Sequence, residues 1–401
     1  MICHIVILVI TIGSLSPASA QKLCDFVSIG HTPLTGMTTE TWNGQLGGLY
    51  PGGSNVRPYE QQQQFLDLAL SVRACRSDGV IDNVDGRIVV LAIGSSDAKS
   101  GFNNLALKYA TDTLRNPTVR FLNATVDGLG LQKTTAGNAE YWGHVNQQIQ
   151  IEGFSIAQVQ IAWVMLDDTN NSDTTFPKAA EDVADQLRQL CVNLKVKYPA
   201  IKFVYFSGRP YSAYINPTTS TLGPGVRSPR DYLYGWGVKK IIERQIFGTE
   251  GYGFDGAGAQ IPAVSWAGYV WADGATANSD GLAWLCSDYE SDGFSLSPSG
   301  SEKIGKVLYE ALSQDQVSKG WFTNPTPVSV SQGATSADLK IVSTESTLRI
   351  VASDANVEVL DFYGIQVWSG RVTSSIDIPT ISWPRGLYVV RVGTKTSLIL
   401  H

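Results

Sequence analysis

Four apolar runs limit what this chain can fold into: RIVVLAIG (87–94), VRFLNATV (119–126), AQVQIAWVML (157–166) and IKFVYFS (201–207). Each carries a continuous stretch of about 5–8 strand-forming residues, and polar or amphipathic segments separate them. Runs that are apolar on both faces suit strands covered on both sides, the condition of a parallel sheet with helical crossovers. The stretch 179–198, AAEDVADQLRQLCVNLKVKY, reads as one such helix. Its Val183, Leu187, Leu190, Leu194 and Val196 form a mostly i, i+3/i+4 stripe, and Pro199 stops it. The expected class is α/β, a parallel sheet flanked by helices.

A length of 401 residues, 43% of them hydrophobic and 16% charged, suits two globular domains. Residues 1–20 form an apolar run ending in Ala18-Ser19-Ala20, which predicts a signal peptide cleaved before Gln21. The segment has no Lys or Arg, so an uncleaved membrane anchor is the competing reading, and no later stretch is apolar for long enough to span a bilayer. A net charge of −6 without a dense Lys/Arg cluster disfavours nucleic acid and anionic membranes as partners.

After residue 311 the chain enters GWFTNPTPVSVSQGATS (320–336), rich in Pro, Ser, Thr and Gly and without periodicity, which marks a linker. The divisions are then 21–322, a linker at 323–334 and a tail at 335–401. The tail consists of short β-type runs, among them LKIVS, LRIVA, VEVLDFYG, IQVWSG, SSIDIP, GLYVVRVG and TSLILH, which predict a small antiparallel sandwich. In the order of Val357–Gly364, Ile365–Trp368, Ile376–Pro379 and Gly386–Val392, the tail resembles the type IX secretion sorting domain of Bacteroidetes. The resemblance implies the type IX secretion machinery as partner, passage through the periplasm, and release or display at the cell surface. An ordinary accessory sandwich is the alternative, since the family's Lys-rich last strand is replaced by Lys395-Thr-Ser-Leu-Ile-Leu-His401.

Once Cys3 leaves with the signal, Cys24, Cys75, Cys191 and Cys286 remain. Four cysteines allow three pairings, and Cys24 with Cys75 would tie the mature N-terminus to the end of a helix; buried free thiols are the other reading. Nothing has zinc spacing, so neither a metal nor another cofactor is expected.

The first apolar run ends in Gly94-Ser-Ser96-Asp97, a strand running into a Gly turn. Ligands of open α/β sheets sit at the carboxyl ends of strands, which makes Ser96 a candidate nucleophile; a serine there also commonly caps the next helix. Further segments resemble a carbohydrate-esterase-like subgroup of the SGNH (GDSL-like) hydrolases, nearly throughout 45–312. They are Gly47–Asn55, Gly94-Ser-Ser96 with Ser95 in place of the usual Asp, Asn123-Ala-Thr with Gly128-Leu-Gly130, Ser207–Tyr211, Gly235–Lys239, Trp271–Gly274, Asp280–Trp284 and Asp292–Gly300. The resemblance implies an SGNH-type, flavodoxin-like parallel sheet. It also implies Ser96 as nucleophile, Gly128, Gly130 and Asn170 as candidate oxyanion donors, Asp292 as orienter, and Arg209, Tyr211 and Trp271 as substrate contacts.

One departure decides the expected function. Family members carry Asp-x-x-His in the closing block, because a serine hydroxyl needs an adjacent base, and here Ser295 stands at the His position. The only histidines are His4, His31, His144 and His401; His31 and His144 read as surface or packing residues, with His144 a remote substitute base. Asp167-Asp168, after the third run, reads as solvated loop charge or a helix cap, with paired-carboxylate chemistry or a Ca²⁺ site as the alternative. Aromatics gather at Tyr211–Trp236 and Trp266–Tyr289; most suit core packing, while two or more lining a glycan site is the functional reading. The expectation is a secreted pseudoenzyme that binds a carbohydrate or acylated glycan. The alternative is an ester hydrolase of acylated carbohydrates, with Ser96 as nucleophile and an unconventional base.

Overall fold

A computed structural model of the chain describes residues 21–323, 340–343, 346–352, 354–361, 366–380, 383, 387–393 and 395–400. The expected signal peptide and nearly all of the expected linker lie outside the described residues. The chain divides into two compact units with the boundary between Asn324 and Pro325.

In the larger unit β1 (Ile88–Gly94), β2 (Val119–Asn123), β3 (Val159–Met165), β4 (Phe203–Phe206) and β5 (Ala263–Trp266) form one parallel sheet in the order β2-β1-β3-β4-β5. Every residue of β1, β3, β4 and β5 is buried, which is why these strands read as continuous apolar runs. The sheet was expected; β5 was not, because AVSW is only four residues long.

The helices are α1 (Tyr59–Ala69), α2 (Ser96–Thr111), α3 (Ala139–Ile151), α4 (Lys178–Lys197), α5 (Arg230–Ile246), α6 (Pro298–Gln314) and α7 (Gln316–Phe322). From β1 the chain moves outward to β2, then returns past β1 to β3 and continues to β4 and β5. Right-handed crossovers then put α2 on one face and α3, α4 and α5 on the other. The observed pairs agree: α2 packs on α6, and α4 packs on α5. Both seams depend on glycine. A methyl group at Gly101 would overlap Ile304, one at Gly305 would overlap Asn104, and one at Gly237 would overlap Val183. Along α4 the expected stripe holds at Val183, Leu187, Leu190 and Leu194, but Val196 is 75% exposed because it has rotated off the buried face. The segment Gly320–Phe322, grouped with the linker by its composition, is the end of α7.

The cysteine tie differs from expectation. Cys24 pairs with Cys286, their Cα atoms 5.3 Å apart, while Cys75 and Cys191 are buried free thiols. Cys75 is drawn inward by backbone bonds to Arg87 and by Gln158 Nε2, which donates to its carbonyl at 2.8 Å.

Among the described residues the smaller unit shows seven strands: β6 (Lys340–Ser343), β7 (Thr347–Val351), β8 (Ala355–Asp361), β9 (Gln366–Val372), β10 (Ser375–Pro379), β11 (Leu387–Val392) and β12 (Lys395–Leu400). They form two antiparallel sheets, β9-β8-β11-β12 and β10-β7-β6. Alternation sorts the faces: Leu348 and Ile350 point in while Arg349 points out, and Val357 and Val359 point in while Glu358 points out. Residues from both sheets share one hydrophobic core, as expected of a sandwich.

Candidate functional site at the strand ends

β1 and β3 are neighbours whose following connections leave in opposite directions, and the carboxyl ends at such a reversal are where open α/β sheets hold ligands. The chain passes this point at Gly94, where a side chain would collide with Ala98 and approach the Met165 carbonyl to 2.9 Å. Ser95 follows in extended conformation as the N-cap of α2, but its hydroxyl does not cap the helix. Instead it accepts a hydrogen bond from Gly128 N–H at 3.1 Å. Ser96 lies in the first turn of α2 and is half-buried; no hydrogen bond joins its side chain to another described residue.

Beneath this turn lies an ion network that no single sequence segment signals. Asp97, one residue past Ser96, pairs with Arg209 at 3.3 Å, and Asp167 pairs with Arg230 at 2.8 Å, with all four side chains at 3% exposure or less. Asp231, next in α5 to Arg230, accepts from the Ser212 N–H at 3.0 Å and from Trp271 Nε1 at 2.7 Å. Burial pushes the carboxyls of Asp97, Asp167 and Asp231 above the ordinary Asp range, even though Arg209 acts on each in the opposite direction. Burial also opposes the charge on Arg209, but Asp97, Asp167 and Asp231 outweigh it and hold the guanidinium more firmly protonated than usual. Three carboxyls facing two guanidiniums favour keeping a proton in the cluster.

Asp167 and Asp168 are therefore neither solvated loop charge nor a helix cap: they are 2% and 8% exposed. Asp168 accepts from the Asn170 N–H and from Gln186 Nε2, each at 2.9 Å. A carboxylate facing a guanidinium is poorly suited to Ca²⁺, which takes oxygen ligands. One signal could have exposed the network. α5 is buried almost all the way round, so Arg230 and Asp231 at its start had to be buried and partnered.

The closing segment reaches the same region, since the Arg209 guanidinium lies 5.4 Å from the Phe294 ring centroid. Asp292, however, is turned onto its own loop. One carboxylate oxygen accepts from the N–H groups of Phe294 at 2.9 Å and Ser295 at 2.8 Å, and the other accepts from Ser295 Oγ at 2.8 Å. Gly293, at φ +71°, permits this turn and packs against the Tyr214 carbonyl.

Among the expected oxyanion donors, Gly128 gives its N–H to Ser95, Gly130 is buried against Gln132 and Thr169, and Asn170 is exposed on its loop. Of the expected substrate contacts, Arg209 is buried in the ion network. Tyr211 and Trp271 are fully buried, the first donating to the Phe26 carbonyl at 2.7 Å and the second to Asp231. The other aromatics singled out from Tyr214 to Tyr289 are likewise 6% exposed or less, so as folded they pack the core and offer no open sugar platform. His31 packs against Tyr232, ring centroids 4.7 Å apart, and His144 is half-buried on α3.

No family model matches the chain, and no curated protein matches it. Among the solved structures similar to parts of it are two from different organisms. One is a protein of Arabidopsis thaliana, at 12% identity and TM-score 0.29, with 53% of this chain and 66% of that chain covered. The other is a protein of Bacillus subtilis, at 13% identity and TM-score 0.28, with 57% of this chain and 56% of that chain covered. The alignments thus span just under two thirds of the first neighbour and little more than half of the second.

Proposed function

We propose that this chain is an exported SGNH-hydrolase-like protein with a degenerate catalytic site, a pseudoenzyme that keeps the scaffold to bind a carbohydrate or an acylated glycan. One observation carries the reading: Ser96 has no hydrogen-bonded base among the described residues, and the carboxylate that would orient such a base, Asp292, is committed to its own turn. Without a proton acceptor, a serine hydroxyl attacks esters poorly. The bond from Gly128 N–H to Ser95 Oγ supports the same reading, because it occupies a donor that an oxyanion would need.

A partly exposed Ser96 at the start of α2, after a strand end, favours a second reading as an ester hydrolase of acylated carbohydrates with an unconventional base. The resemblance of the tail to type IX sorting domains supports delivery to the cell surface or medium. Aryl-acetate hydrolysis by purified protein, measured beside binding of soluble polysaccharide, separates the two readings. Binding with negligible turnover is the expected result. Turnover like that of an ordinary secreted esterase, abolished by Ser96→Ala, would restore the enzyme.

A further inference from the structure

The buried aromatics are covered from one side by the first described residues. Lys22–Leu34 runs as a strap, and its contacts are mostly polar. Lys22 N–H donates to the Ser291 carbonyl at 2.9 Å, Leu23 N–H to the Tyr214 carbonyl at 2.8 Å, and Lys22 Nζ to the Cys286 carbonyl at 2.7 Å. The Tyr211 hydroxyl donates to the Phe26 carbonyl, the Tyr232 hydroxyl donates to the Thr32 carbonyl at 3.0 Å, and the Leu34 N–H donates to the Tyr269 hydroxyl at 3.3 Å. Asp273 alone receives the Ser28 hydroxyl and the N–H groups of Ile29 and Gly30, at 2.5–3.0 Å.

The first half of the strap, 22–28, buries little apolar surface of its own. Phe26 is 53% exposed and Val27 48% exposed; apolar anchoring starts only at Ile29, half-buried against the core, and continues through His31 on Tyr232 to the fully buried Leu34. A segment held by hydrogen bonds and poor in buried apolar contacts belongs to the low-stability end of a fold. One covalent bond offsets this, the cystine between Cys24, which is exposed, and Cys286, which is half-buried. Below the strap the rings form a continuous series: Tyr214 to Tyr211 at 5.1 Å, Tyr211 to Trp271 at 6.5 Å and Trp271 to Tyr232 at 4.7 Å between centroids. Three of the hydroxyl groups in and beside this series are spent on strap backbone.

We propose that Lys22–Leu34 is a disulfide-latched strap over an aromatic face, and that reducing Cys24–Cys286 frees the strap and opens that face to sugar rings. The ligand class rests on the reading proposed above. Tyrosine and tryptophan faces stack on sugars, and hydroxyls that now bond peptide carbonyls would bond saccharide hydroxyls in their place. The latch opens by thiol–disulfide exchange: a dithiol supplies two electrons and two protons, Cys24 and Cys286 leave as thiols, and the dithiol closes its own disulfide.

The test uses the full mature chain in three forms: oxidised, reduced with a dithiol, and as the Cys24→Ser/Cys286→Ser variant. Amide exchange across 22–34 should rise at least tenfold in the last two forms while β1 and β3 stay protected. Soluble acetylated xylan, the probe, should bind at least tenfold more tightly once the latch is gone. Asp273→Asn in the oxidised chain, with the cystine intact, should give a smaller rise in exchange. A strap equally protected after reduction, or a sheet that loses protection along with it, would overturn the proposal. If the strap opens while xylan binds the oxidised form just as well, the assigned face is wrong and the glycan reading stands. If the strap opens and xylan binds neither form, the latch stands and the glycan reading falls.

Discussion

Arg209 reaches Asp97 at 3.3 Å from the loop after β4, spanning the end of β3 to hold the turn that carries Ser96. The pair is fully buried, so it contributes differently from a surface ion pair. Desolvating both charges cancels much of their attraction, yet removing one partner leaves the other buried and uncompensated.

Arg209→Ala should therefore destabilise the larger unit by about 3–5 kcal/mol. The measurement is urea unfolding of the variant against wild type, with Arg188→Ala, a partly exposed arginine, as control. A loss below 1 kcal/mol would mean that the Asp97 carboxyl is already neutral in the folded chain.

The carboxyls of Asp97, Asp167 and Asp231 are held above their ordinary value of 3.8 by burial, and this fixes a pH dependence. Below 3.8 both folded and unfolded chains keep these protons. Above it the unfolded chain releases them while the folded chain retains them, so their contribution to stability is lost as pH rises toward the raised values. Exposed Asp78 and half-buried Asp82 and Asp173, held low by hydrogen bonds, act in the opposite direction as pH falls through the acid range. The diagnostic quantity is thus a difference. Asp231→Asn keeps an acceptor for Trp271 and Ser212 but cannot ionise, so its stability relative to wild type should improve between pH 4 and pH 7. A constant difference across that range would count against a raised Asp231.

At the α2–α6 seam, Gly101→Ala and Gly305→Ala should each destabilise, by about 1–3 kcal/mol for overpacking, even though alanine favours helix more than glycine does. Gly143→Ala on α3, where the added methyl meets nothing within 4 Å, should be neutral or stabilising. Thermal melts of the three variants decide the matter, and equal shifts would show that the seam yields readily.

Ser295→His places an imidazole where the SGNH hydrolases that the 292–300 segment resembles carry one, and it breaks the Ser295 Oγ bond so that one Asp292 oxygen is free. A positioned base is worth about 10²–10⁴-fold, so aryl-acetate turnover should rise measurably and vanish again with Ser96→Ala. A folded variant without any gain would separate the 292–295 turn from Ser96 chemistry.

The tail can be tested apart from the site. Truncation after Thr323 should leave a folded larger unit that is retained in the periplasm of its native host. Normal secretion of the truncated chain would remove the export role from residues 335–401.

The parts of the structure that the sequence made readable are those where one segment carries its own signal. β1, β3 and β4 stand out because both of their faces are covered, and the tail strands because only one is. β5 went unnoticed at four residues, and α5 was read as family landmarks because Gly235 and Gly237 disguise a helix whose glycines serve packing. The Cys24–Cys286 bond and the Asp97–Arg209 pair join residues 262 and 112 positions apart, and such partners become visible only once the sheet order is known. For Ser96, Asp292 and Ser295 the sequence supplied candidates; the local turn that occupies Asp292 could not be read, because an Asx-type bond depends on backbone angles that residue identity only biases.

The hydrophobic core of the tail has no residue in common with that of the larger unit. Independent unfolding of the two units is the expected outcome: calorimetry of the full chain should show two heat-absorption peaks, one of which disappears on truncation. Two separate peaks would mean that the tail can be clipped off or exchanged for another without drawing on the stability of the larger unit.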